Sequence, residues 1–281
     1  MTYREAIVSG EKSLGEAGIA DARNDAWLLL TMACKIDHTY YYMHIDEEMP
    51  EELQHEFEVL IKKRAERVPL QYITGEQEFM GMTFHVNSNV LIPRQDTETL
   101  VEEALKVVKP GMKVLDMCTG SGCILLSVAL ERKLSKGIGV DISGKALAVA
   151  KANQEALAPE NVTLIQSDLF ENAGKYLMEQ SVDIVVSNPP YICTEVIDSL
   201  SEEVRLHDPV LALDGHEDGL YFYRKITKQA KGFLKPGGRL FYEIGYDQSA
   251  AVEALLCKEG YTQVSTVKDL AGLDRVVMGR L

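Results

Sequence analysis

Strand-like and helix-like segments alternate along this chain from about residue 113 to its end. Short apolar runs rich in β-branched residues predict strands near 113–116, 137–141, 162–166, 182–187, 238–243, 261–266 and 274–279. Most of the connections are long enough for a helix, which favours a parallel sheet covered by helices. A short connection joins the last two strands, so we expect them to pair antiparallel. The pattern therefore predicts an α/β fold with a seven-stranded, mostly parallel sheet and an antiparallel terminal hairpin.

The sequence before this region predicts a separate helical part and a connector. Residues 1–70 show helical periodicity only, including a helix that Asp21 is expected to cap. Residues 71–92 alternate apolar residues with glycines, which indicates a β-hairpin connector. A further helix is expected over 98–108, with Asp96 or Thr97 as its cap. We therefore predict a helical domain over 1–70, a connector over 71–92 and an α/β domain over 93–281.

Polar and glycine residues follow the first three predicted strands of the sheet. The carboxyl ends of parallel strands are where open α/β sheets bind ligands, and glycines there allow a ligand to approach the backbone closely. An acidic residue at the end of the second strand is typical of a group that bonds a ribose. The alternative is that Asp141 and Asp168 cap the helices that follow them. The residues are Asp116, Cys118, Thr119, Gly120, Ser121 and Gly122 after the first strand, Asp141 after the second, and Asp168 and Leu169 after the third.

The fourth strand ends in the tetrapeptide Asn188-Pro189-Pro190-Tyr191. The Asn188 side-chain oxygen and a nearby backbone carbonyl can accept both N–H bonds of an amide or amino group. The two prolines stiffen the backbone and remove competing N–H donors, and Tyr191 offers a flat ring for stacking. The alternative is a Pro-Pro turn after a strand. In the context of the glycine-rich turn, the tetrapeptide favours a site that methylates a planar nitrogen.

With these motifs in place, the chain resembles the class I S-adenosylmethionine-dependent methyltransferases. More narrowly, it resembles the release-factor glutamine N5-methyltransferases, and the resemblance covers essentially the whole chain. The narrower match is carried by residues 69–75, 78–81, 90–98, 218–220, 235–238, 243–245 and 269–275. Two positions depart from the family pattern. Cys118 replaces a usual glycine and, being small, can keep the turn if its φ is negative, and Gln95 replaces a usual proline.

The resemblance implies a reaction, a methyl donor and a protein substrate. The donor would be S-adenosyl-L-methionine, leaving S-adenosyl-L-homocysteine, and the acceptor would be the glutamine of the Gly-Gly-Gln loop in peptide chain release factors. Asn188 and the Pro189 carbonyl would orient the amide, with Pro190 and Tyr191 on its two faces. The residues after the first three strands would bind the donor, with Asp116 at its ammonium and Asp141 at its ribose. Arg94 would steer the substrate, although a structural ion pair is an equal alternative.

Composition narrows the classes of partner. A formal net charge of −14 argues against a protein that holds a nucleic-acid backbone, and therefore against the main alternative, an adenine-N6 methyltransferase of DNA or RNA. An inactive adaptor with the same fold is a further alternative.

The cysteines and the start of the sequence indicate the compartment. Five cysteines without a Cys-x-x-Cys pair, and the lack of a signal-like start, predict a cytoplasmic protein without disulfides. No metal site and no membrane span are expected. The basic residues Lys62, Lys63, Arg64 and Arg67 indicate a solvated helix face or, alternatively, a partner contact.

Overall fold

The computed structural model describes residues 1–281, apart from the side chain of Ala173. Its contacts divide the chain into two compact units. The smaller unit comprises Met1–Glu76 and Ser201–His207, and the larger comprises Gln77–Leu200 and Asp208–Leu281. The finer division at residues 70 and 92 stays a prediction, because the contacts do not separate the connector from its neighbours.

The helices and strands follow the expected order along the chain. The helices are α1 (Tyr3–Glu16), α2 (Ala22–Cys34), α3 (His38–His44), α4 (Glu51–Ala65), α5 (Leu70–Thr74), α6 (Gln95–Leu105), α7 (Cys123–Glu131), α8 (Gly144–Leu157), α9 (Glu202–His207), α10 (Val210–Leu213), α11 (Tyr221–Ala230) and α12 (Ser249–Lys258). The strands are β1 (Glu76–Phe79), β2 (Met82–His85), β3 (Lys113–Met117), β4 (Lys136–Asp141), β5 (Val162–Gln166), β6 (Val182–Ser187), β7 (Leu234–Glu243), β8 (Thr262–Lys268) and β9 (Asp274–Arg280). Short 3₁₀ helices cover Ala173–Lys175 and Thr194–Ser199.

The smaller unit is helical and packs around a core of buried side chains such as Leu29, Leu30 and Phe57. Helix α1 begins with a capping box in which Thr2 and Glu5 satisfy each other's backbone N–H groups. Asp21 does stand at the N-cap position of α2, but its side chain makes no capping hydrogen bond. The expected cap is therefore wrong in its chemistry, although the helix is there.

The basic residues at the end of α4 do not all lie on a solvated face. Arg64 is 6% exposed, and its Nε lies 2.7 Å from Asp25 Oδ2 while its Nη2 lies 2.9 Å from Glu203 Oε1. Arg67 Nε lies 3.5 Å from Glu202 Oε2. A buried guanidinium needs such partners because an uncompensated buried charge is costly. The interpretation as a solvated face is therefore wrong for Arg64, whose charge holds the separate segment 201–207 in this unit.

In the larger unit, seven strands of the described chain form one sheet in the order β5-β4-β3-β6-β7-β9-β8. The first five in this order pair in parallel, and β9 pairs antiparallel with both β7 and β8. The predicted fold class is confirmed. The chain runs outward from β3 to β5 and then returns to β6 on the other side of β3. This reversal places the carboxyl ends of β3 and β6 around a crevice, the position where such sheets bind ligands.

The central strands of the sheet are buried on both faces, which explains why β3, β4 and β6 read as nearly continuous apolar runs, whereas the edge strand β8 has no buried residue. Leu115 and Met117 of β3 pack into one core with Tyr223 of α11. Val114 of the same strand packs into a second core with Leu100 of α6. The sheet is therefore held between two helical layers, and its carboxyl edge has a fixed position.

Strand β7 begins earlier than predicted because it contains a bulge. Val182 pairs with Leu234 and Ile184 with Arg239, so the sequence 235–238 bulges opposite Asp183 alone. The Asp183 carboxylate stabilises the bulge by accepting from Lys235 Nζ at 2.6 Å and from the Lys113 N–H at 2.8 Å. The predicted start of this strand, near residue 238, is therefore wrong, and Pro236, Gly237 and Gly238 lie inside the strand.

Helix α6 also begins earlier than predicted. Arg94 is its N-cap residue, and the Thr97 N–H already donates to the Arg94 carbonyl at 3.0 Å. Asp96 and Thr97 therefore lie within the first turn, and the prediction that one of them caps the helix is wrong. The Glu98 carboxylate, in turn, accepts from the Met80 N–H at 2.6 Å and fixes the two-stranded β1–β2 hairpin to this helix.

Candidate active site

A cavity of about 290 Å³ opens at the carboxyl ends of β3, β4, β5 and β6 in the larger unit. It is bordered by the first turn of α6 and by the segments around 209–212 and 216–222. Ten of the residues singled out from the sequence line it: Arg94, Cys118, Thr119, Gly120, Ser121, Asp141, Asp168, Leu169, Asn188 and Pro190. Among the described residues Asp116, Gly122, Pro189 and Tyr191 do not line it. The topology thus brings together residues that lie far apart in the sequence.

In the glycine-rich turn after β3, the Gly120 N–H donates to Asp141 and the Gly122 N–H donates to the Thr119 carbonyl, directly before helix α7. Gly120 has a φ of 56° and Gly122 one of 81°, which glycine adopts without steric cost. A side chain on Gly122 would bring its Cβ within 3.1 Å of Leu126 and 3.3 Å of Ala150. The turn therefore requires glycine at 122 both for its conformation and for the packing of α7 against α8.

Cys118 has a φ of 64°, so the negative φ that the sequence analysis required is not observed. This is the left-handed region, in which residues other than glycine are strained by roughly 1–2 kcal/mol. The thiol packs against the core beneath the cavity, and burial raises its pKa well above the ordinary value. The turn at this position keeps a glycine-like conformation although the residue is no longer glycine.

Asp116 is fully buried directly before the turn. Its Oδ2 accepts from the Thr119 hydroxyl at 2.6 Å, whereas its Oδ1 has no hydrogen-bond partner within the part of the chain that the structure describes. Burial raises the pKa of this carboxyl to about 7, although the Thr119 hydrogen bond opposes the rise. A buried oxygen without a partner is costly, so Asp116 is suited to a cationic or N–H donor ligand.

The Asp141 carboxylate lies at the cavity wall and also organises the backbone around it. Its Oδ2 accepts from the Gly120 N–H at 2.9 Å and its Oδ1 from the Ser143 N–H at 2.8 Å. Burial raises its pKa, and these two hydrogen bonds lower it. Each oxygen retains a second lone pair, so the carboxylate can accept further hydrogen bonds from a ligand.

The third strand brings Asp168 and Leu169 to the same cavity wall. Leu169 is 6% exposed and has a φ of 46°. Its strained backbone turns the chain sharply after β5. Because β5 lies three strands away from β6 in the sheet, this turn is on the side of the cavity away from Asn188.

The Asn188 side chain lines the cavity and forms a hydrogen bond with a neighbouring residue there. Its Nδ2 lies 3.5 Å from the Thr97 hydroxyl, which is itself buried. With the nitrogen on that side, the amide oxygen Oδ1 is the group left for a ligand. Ser187, one residue earlier, donates to the Met117 carbonyl at 2.6 Å and fixes the end of β6 to β3.

Tyr191 is held from behind by residues to which the sequence analysis assigned no role in the site. Its hydroxyl donates to Glu243 Oε1 at 3.4 Å, and its carbonyl accepts from Gln248 Nε2 at 3.0 Å. Two glycines pack on its backbone: a Cβ on Gly215 would lie 2.7 Å from Tyr191 Cα, and one on Gly219 would lie 2.4 Å from the Tyr191 carbonyl oxygen. These close approaches fix the position of the tetrapeptide backbone.

Arg94 forms the structural ion pair that the sequence analysis gave as one of its two roles, and its role toward a substrate stays a prediction. It lines the cavity, and its Nη2 lies 2.8 Å from Asp208 Oδ2 in an ion pair whose carboxylate side chain is fully buried. The Arg94 side chain is 44% exposed. The ion pair therefore fixes one end of the guanidinium while leaving part of it accessible.

Arg275 and Glu243 lie on the neighbouring strands β9 and β7, but they form no direct ion pair in the described part of the chain. Arg275 Nη2 pairs instead with Asp269 at 3.0 Å and with Asp96 at 3.2 Å. The charge of Arg275 still lowers the pKa of Glu243, whereas burial raises it to about 7.

The side chains that the structure describes contain no group of three or more His, Cys, Asp or Glu residues arranged to hold a metal ion. No described helix combines the length and the apolar character that crossing a membrane requires.

Comparison with known proteins gives the family. Residues 5–75 match the family model described as "PrmC N-terminal domain", and residues 108–269 match one described as "Methyltransferase domain". The release factor glutamine methyltransferase of Caulobacter vibrioides is 43% identical over 99% of this chain and 96% of its own length. That of Geobacter sulfurreducens is 42% identical over 100% and 97%. The chain belongs to the release factor glutamine methyltransferase family.

The fold extends beyond this family. A methyltransferase structure from Pyrococcus furiosus matches with a TM-score of 0.53 and 14% identity, covering 72% of this chain and 90% of the other. At that identity the likeness concerns the fold alone. A shared fold does not fix a function, so the function has to be argued from the residues of the site.

Proposed function

We propose that this chain transfers a methyl group from S-adenosyl-L-methionine to the side-chain amide nitrogen, N5, of the glutamine in the Gly-Gly-Gln loop of peptide chain release factors. The observation that carries the proposal is full-length similarity, above 40% identity, to proteins named for that activity. The cavity at the carboxyl edge, with Asn188 beside it, agrees with the reaction.

The residues of the cavity suit the methyl donor. S-adenosyl-L-methionine, when bound, supplies an electrophilic methyl group on a sulfonium and leaves as S-adenosyl-L-homocysteine. The second lone pairs of the two Asp141 oxygens match the vicinal hydroxyls of a ribose. Asp116 is buried and does not line the cavity, so its unpaired Oδ1 would accept from an ammonium group only if that group reached past the cavity wall. The residues 118–122 would form the backbone cradle, with Asp168 and Leu169 as the wall of an adenine site. An ammonium at Asp116 would lower the raised pKa of that carboxyl, because opposite charge favours the ionised form.

Asn188 would orient the acceptor. The nitrogen of an amide is a poor nucleophile, so the placement of its lone pair determines the rate. In the proposal Asn188 Oδ1 and the Pro189 carbonyl accept the two amide N–H bonds. Positive charge that develops on the nitrogen strengthens both bonds, so they stabilise the transition state more than the ground state. No strong general base is required if the proton leaves after methyl transfer.

The remaining site residues would shape the cleft for the amide plane. Pro190 lines the cavity and offers one flat wall. Tyr191 would offer the other, with its ring orientation set by the hydroxyl bond to Glu243. Arg94, held by Asp208, would contact the substrate loop through the exposed part of its guanidinium. The partner that we propose is a protein loop. A nucleic-acid partner is disfavoured by the formal net charge of −14.

The test is methyl transfer from a radiolabelled donor to purified release factor. A matched sample carries release factor with the loop glutamine replaced by asparagine, and a third sample carries DNA and RNA. Label on intact release factor alone supports the proposal. Label on nucleic acid alone would establish an adenine methyltransferase instead, and donor binding without any transfer would indicate an inactive adaptor.

A further inference from the structure

The side-chain amide of Gln248 joins the turn after β7 to the backbone of the Asn188–Tyr191 tetrapeptide. Gln248 is half-buried at the N-cap position of α12, but its side chain makes no capping hydrogen bond. Its Oε1 instead accepts from the Gly245 N–H at 3.0 Å, and its Nε2 donates to the Tyr191 carbonyl at 3.0 Å. The amide therefore bridges the segments that follow two neighbouring strands, β7 and β6.

Two glycines form the slot that holds this amide. A Cβ on Gly219 would lie 2.6 Å from Gln248 Nε2, and a Cβ on Gly245 would lie 3.0 Å from Gln248 Oε1. These glycines belong to the segments 218–220 and 243–245, which carry the resemblance to the methyltransferase family but do not line the cavity. Two segments typical of the family therefore meet at one amide that bonds the tetrapeptide.

The hydrogen-bonding partners in the slot suit the amide of a glutamine. The Gly245 N–H can only donate and the Tyr191 carbonyl can only accept, so the group between them needs an acceptor on one side and a donor on the other. The carboxylate of a glutamate would lack the donor, and the ammonium of a lysine would lack the acceptor. The two hydrogen bonds thus fix the direction of the amide as well as its position.

The tetrapeptide is thereby anchored at both of its ends. Before it, the Ser187 hydroxyl donates to the Met117 carbonyl at 2.6 Å. After it, the Tyr191 carbonyl accepts from Gln248, and the backbone of Ile192 forms hydrogen bonds of 3.0 and 2.8 Å with the segment 213–215. The two proline rings between these anchors restrict φ, so few torsions remain free to turn the carbonyl of residue 189.

We propose that Gln248 is a positioning residue for methyl transfer, which holds the tetrapeptide backbone so that the Pro189 carbonyl faces the acceptor amide. This inference rests on the proposed function and deepens it. Gln248 does not line the cavity and touches no reacting atom. It acts through the Tyr191 carbonyl, so its loss should lower kcat without weakening the binding of the methyl donor.

The kinetic test replaces the donor side of the amide by an acceptor of the same shape. In Gln248→Glu the ionised carboxylate can still accept from the Gly245 N–H, but it sets a second acceptor against the Tyr191 carbonyl. We expect kcat to fall about tenfold, which corresponds to the loss of one hydrogen bond, while KM for the donor stays unchanged. The matched control is Gln154→Glu, because Gln154 Nε2 also donates to a backbone carbonyl, that of Val162, at 2.9 Å. Equal kcat in the two variants would refute the positioning role.

The pH dependence of Gln248→Glu distinguishes a lost hydrogen bond from general damage to the fold. A protonated carboxyl at this position regains an O–H donor for the Tyr191 carbonyl. The ordinary pKa of a glutamate is about 4.3, and burial raises it. The kcat of Gln248→Glu relative to wild type should therefore rise as the pH falls from about 8 toward about 5. A ratio that stays constant over this range, or that rises equally in Gln154→Glu, would contradict the inference.

Other titratable groups border the slot, and they are present in both proteins that this ratio compares. They are Asp247 in the same turn, Glu243 at the end of β7, Tyr191 after β6 and Asp218 beside Gly219. Because the variant is compared with the wild type at each pH, the titration of these groups contributes to both values of kcat. The ratio therefore reports on the carboxyl introduced at position 248.

A second measurement does not depend on the substrate. The chain contains the dipeptide Tyr-Ile twice, at 72–73 and at 191–192, so labelling tyrosine with ¹³C at the carbonyl and isoleucine with ¹⁵N leaves two correlated signals. The ¹³C signal of the Tyr191 carbonyl should shift in Gln248→Glu at high pH, return toward its wild-type position at low pH, and remain in place in Gln154→Glu. The Tyr72 signal serves as the internal control.

The two measurements separate the role of Gln248 from the proposed function on which it rests. A Tyr191 carbonyl signal that is identical in Gln248→Glu and wild type would refute the anchoring hydrogen bond, and a shifted signal with wild-type kcat would refute the positioning role. If release factor accepted no methyl group from the wild-type protein, the proposed function would fail, whereas a shifted carbonyl signal would still support the anchor.

Discussion

Gly219 offers the sharpest test of how the tetrapeptide is held. Its φ is 69°, and a Cβ built there would lie 2.4 Å from the Tyr191 carbonyl oxygen and 2.6 Å from Gln248 Nε2. The shorter of these distances is 0.6 Å below 3.0 Å, the closest approach that Cβ atoms show in real structures. In Gly219→Ala the Tyr191 backbone must therefore move, and the methyl group would also separate Tyr191 from the Gln248 amide that bonds it.

The magnitude can be isolated because the chain contains a matched glycine. Gly81 has the same φ of 69°, and a Cβ placed on it would meet no other atom within 4 Å. Both alanine variants carry the left-handed strain of roughly 1–2 kcal/mol, but Gly219→Ala alone adds an overpacking cost of about 1–3 kcal/mol. The free energy of unfolding should therefore be lower in Gly219→Ala than in Gly81→Ala by this overpacking cost. Each kcal/mol of the difference should lower Tm by roughly 2–4 °C.

Turnover should separate the two variants more strongly than stability. A displacement approaching 1 Å in groups that orient a reaction can cost about a hundredfold in rate, so we expect kcat of Gly219→Ala to fall by roughly ten- to a hundredfold. Donor affinity, measured by calorimetry, should remain near the wild-type value in both variants. Equal kcat and equal unfolding free energy in Gly219→Ala and Gly81→Ala would refute the reasoning that contact with Gly219 positions Tyr191.

Three further outcomes are expected from the site. Asn188→Ala should abolish most turnover with donor affinity retained, whereas Asp141→Ala should weaken donor binding by roughly ten- to a hundredfold through loss of its hydrogen bonds; calorimetry and initial rates separate the two. Burial raises the pKa of Asp116 from 3.8 to about 7, so the folded protein holds a proton that the unfolded chain has released, and stability falls as pH rises through this interval. Urea unfolding between about pH 5 and pH 8 should show the wild type losing roughly 3 kcal/mol relative to Asp116→Asn, and a parallel pH dependence of the two proteins would contradict the raised pKa. Cys118→Gly should leave the unfolding free energy within about 1 kcal/mol of wild type, because relief of the strain at positive φ offsets the lost thiol packing. Cys118→Val should be clearly destabilised, because a β-branched residue tolerates a positive φ poorly. Equal urea midpoints for the two variants would argue against strain at this position.

The sheet was predictable because its order follows from local patterns. The central strands are buried on both faces and therefore read as apolar runs, and polar residues follow close behind them. Asp141 and Asn188 could be placed at one edge on that ground alone, and the structure brings both to the cavity. The bounds of β7 could not be predicted, because its bulge depends on Asp183 in the neighbouring strand.

The supports of the site were not predictable from local sequence. Thr97 looks like a helix cap, and only the position of α6 beside the end of β6 shows that its hydroxyl faces Asn188. Gly215 and Gly219 lie more than 20 residues after Tyr191, and nothing in their sequence context reveals the backbone they touch. Such contacts are set by tertiary packing, which periodicity and motif spacing do not report.

The most direct test of the proposed reaction is the location of the methyl group on the product. After incubation with S-adenosyl-L-methionine, fragmentation mass spectrometry of release-factor peptides should place one added methyl group on the side chain of the loop glutamine. The same peptide should remain unmodified with Asn188→Ala. A methyl group on another residue, or an unmodified glutamine peptide with wild-type enzyme that binds the donor, would contradict the proposed activity.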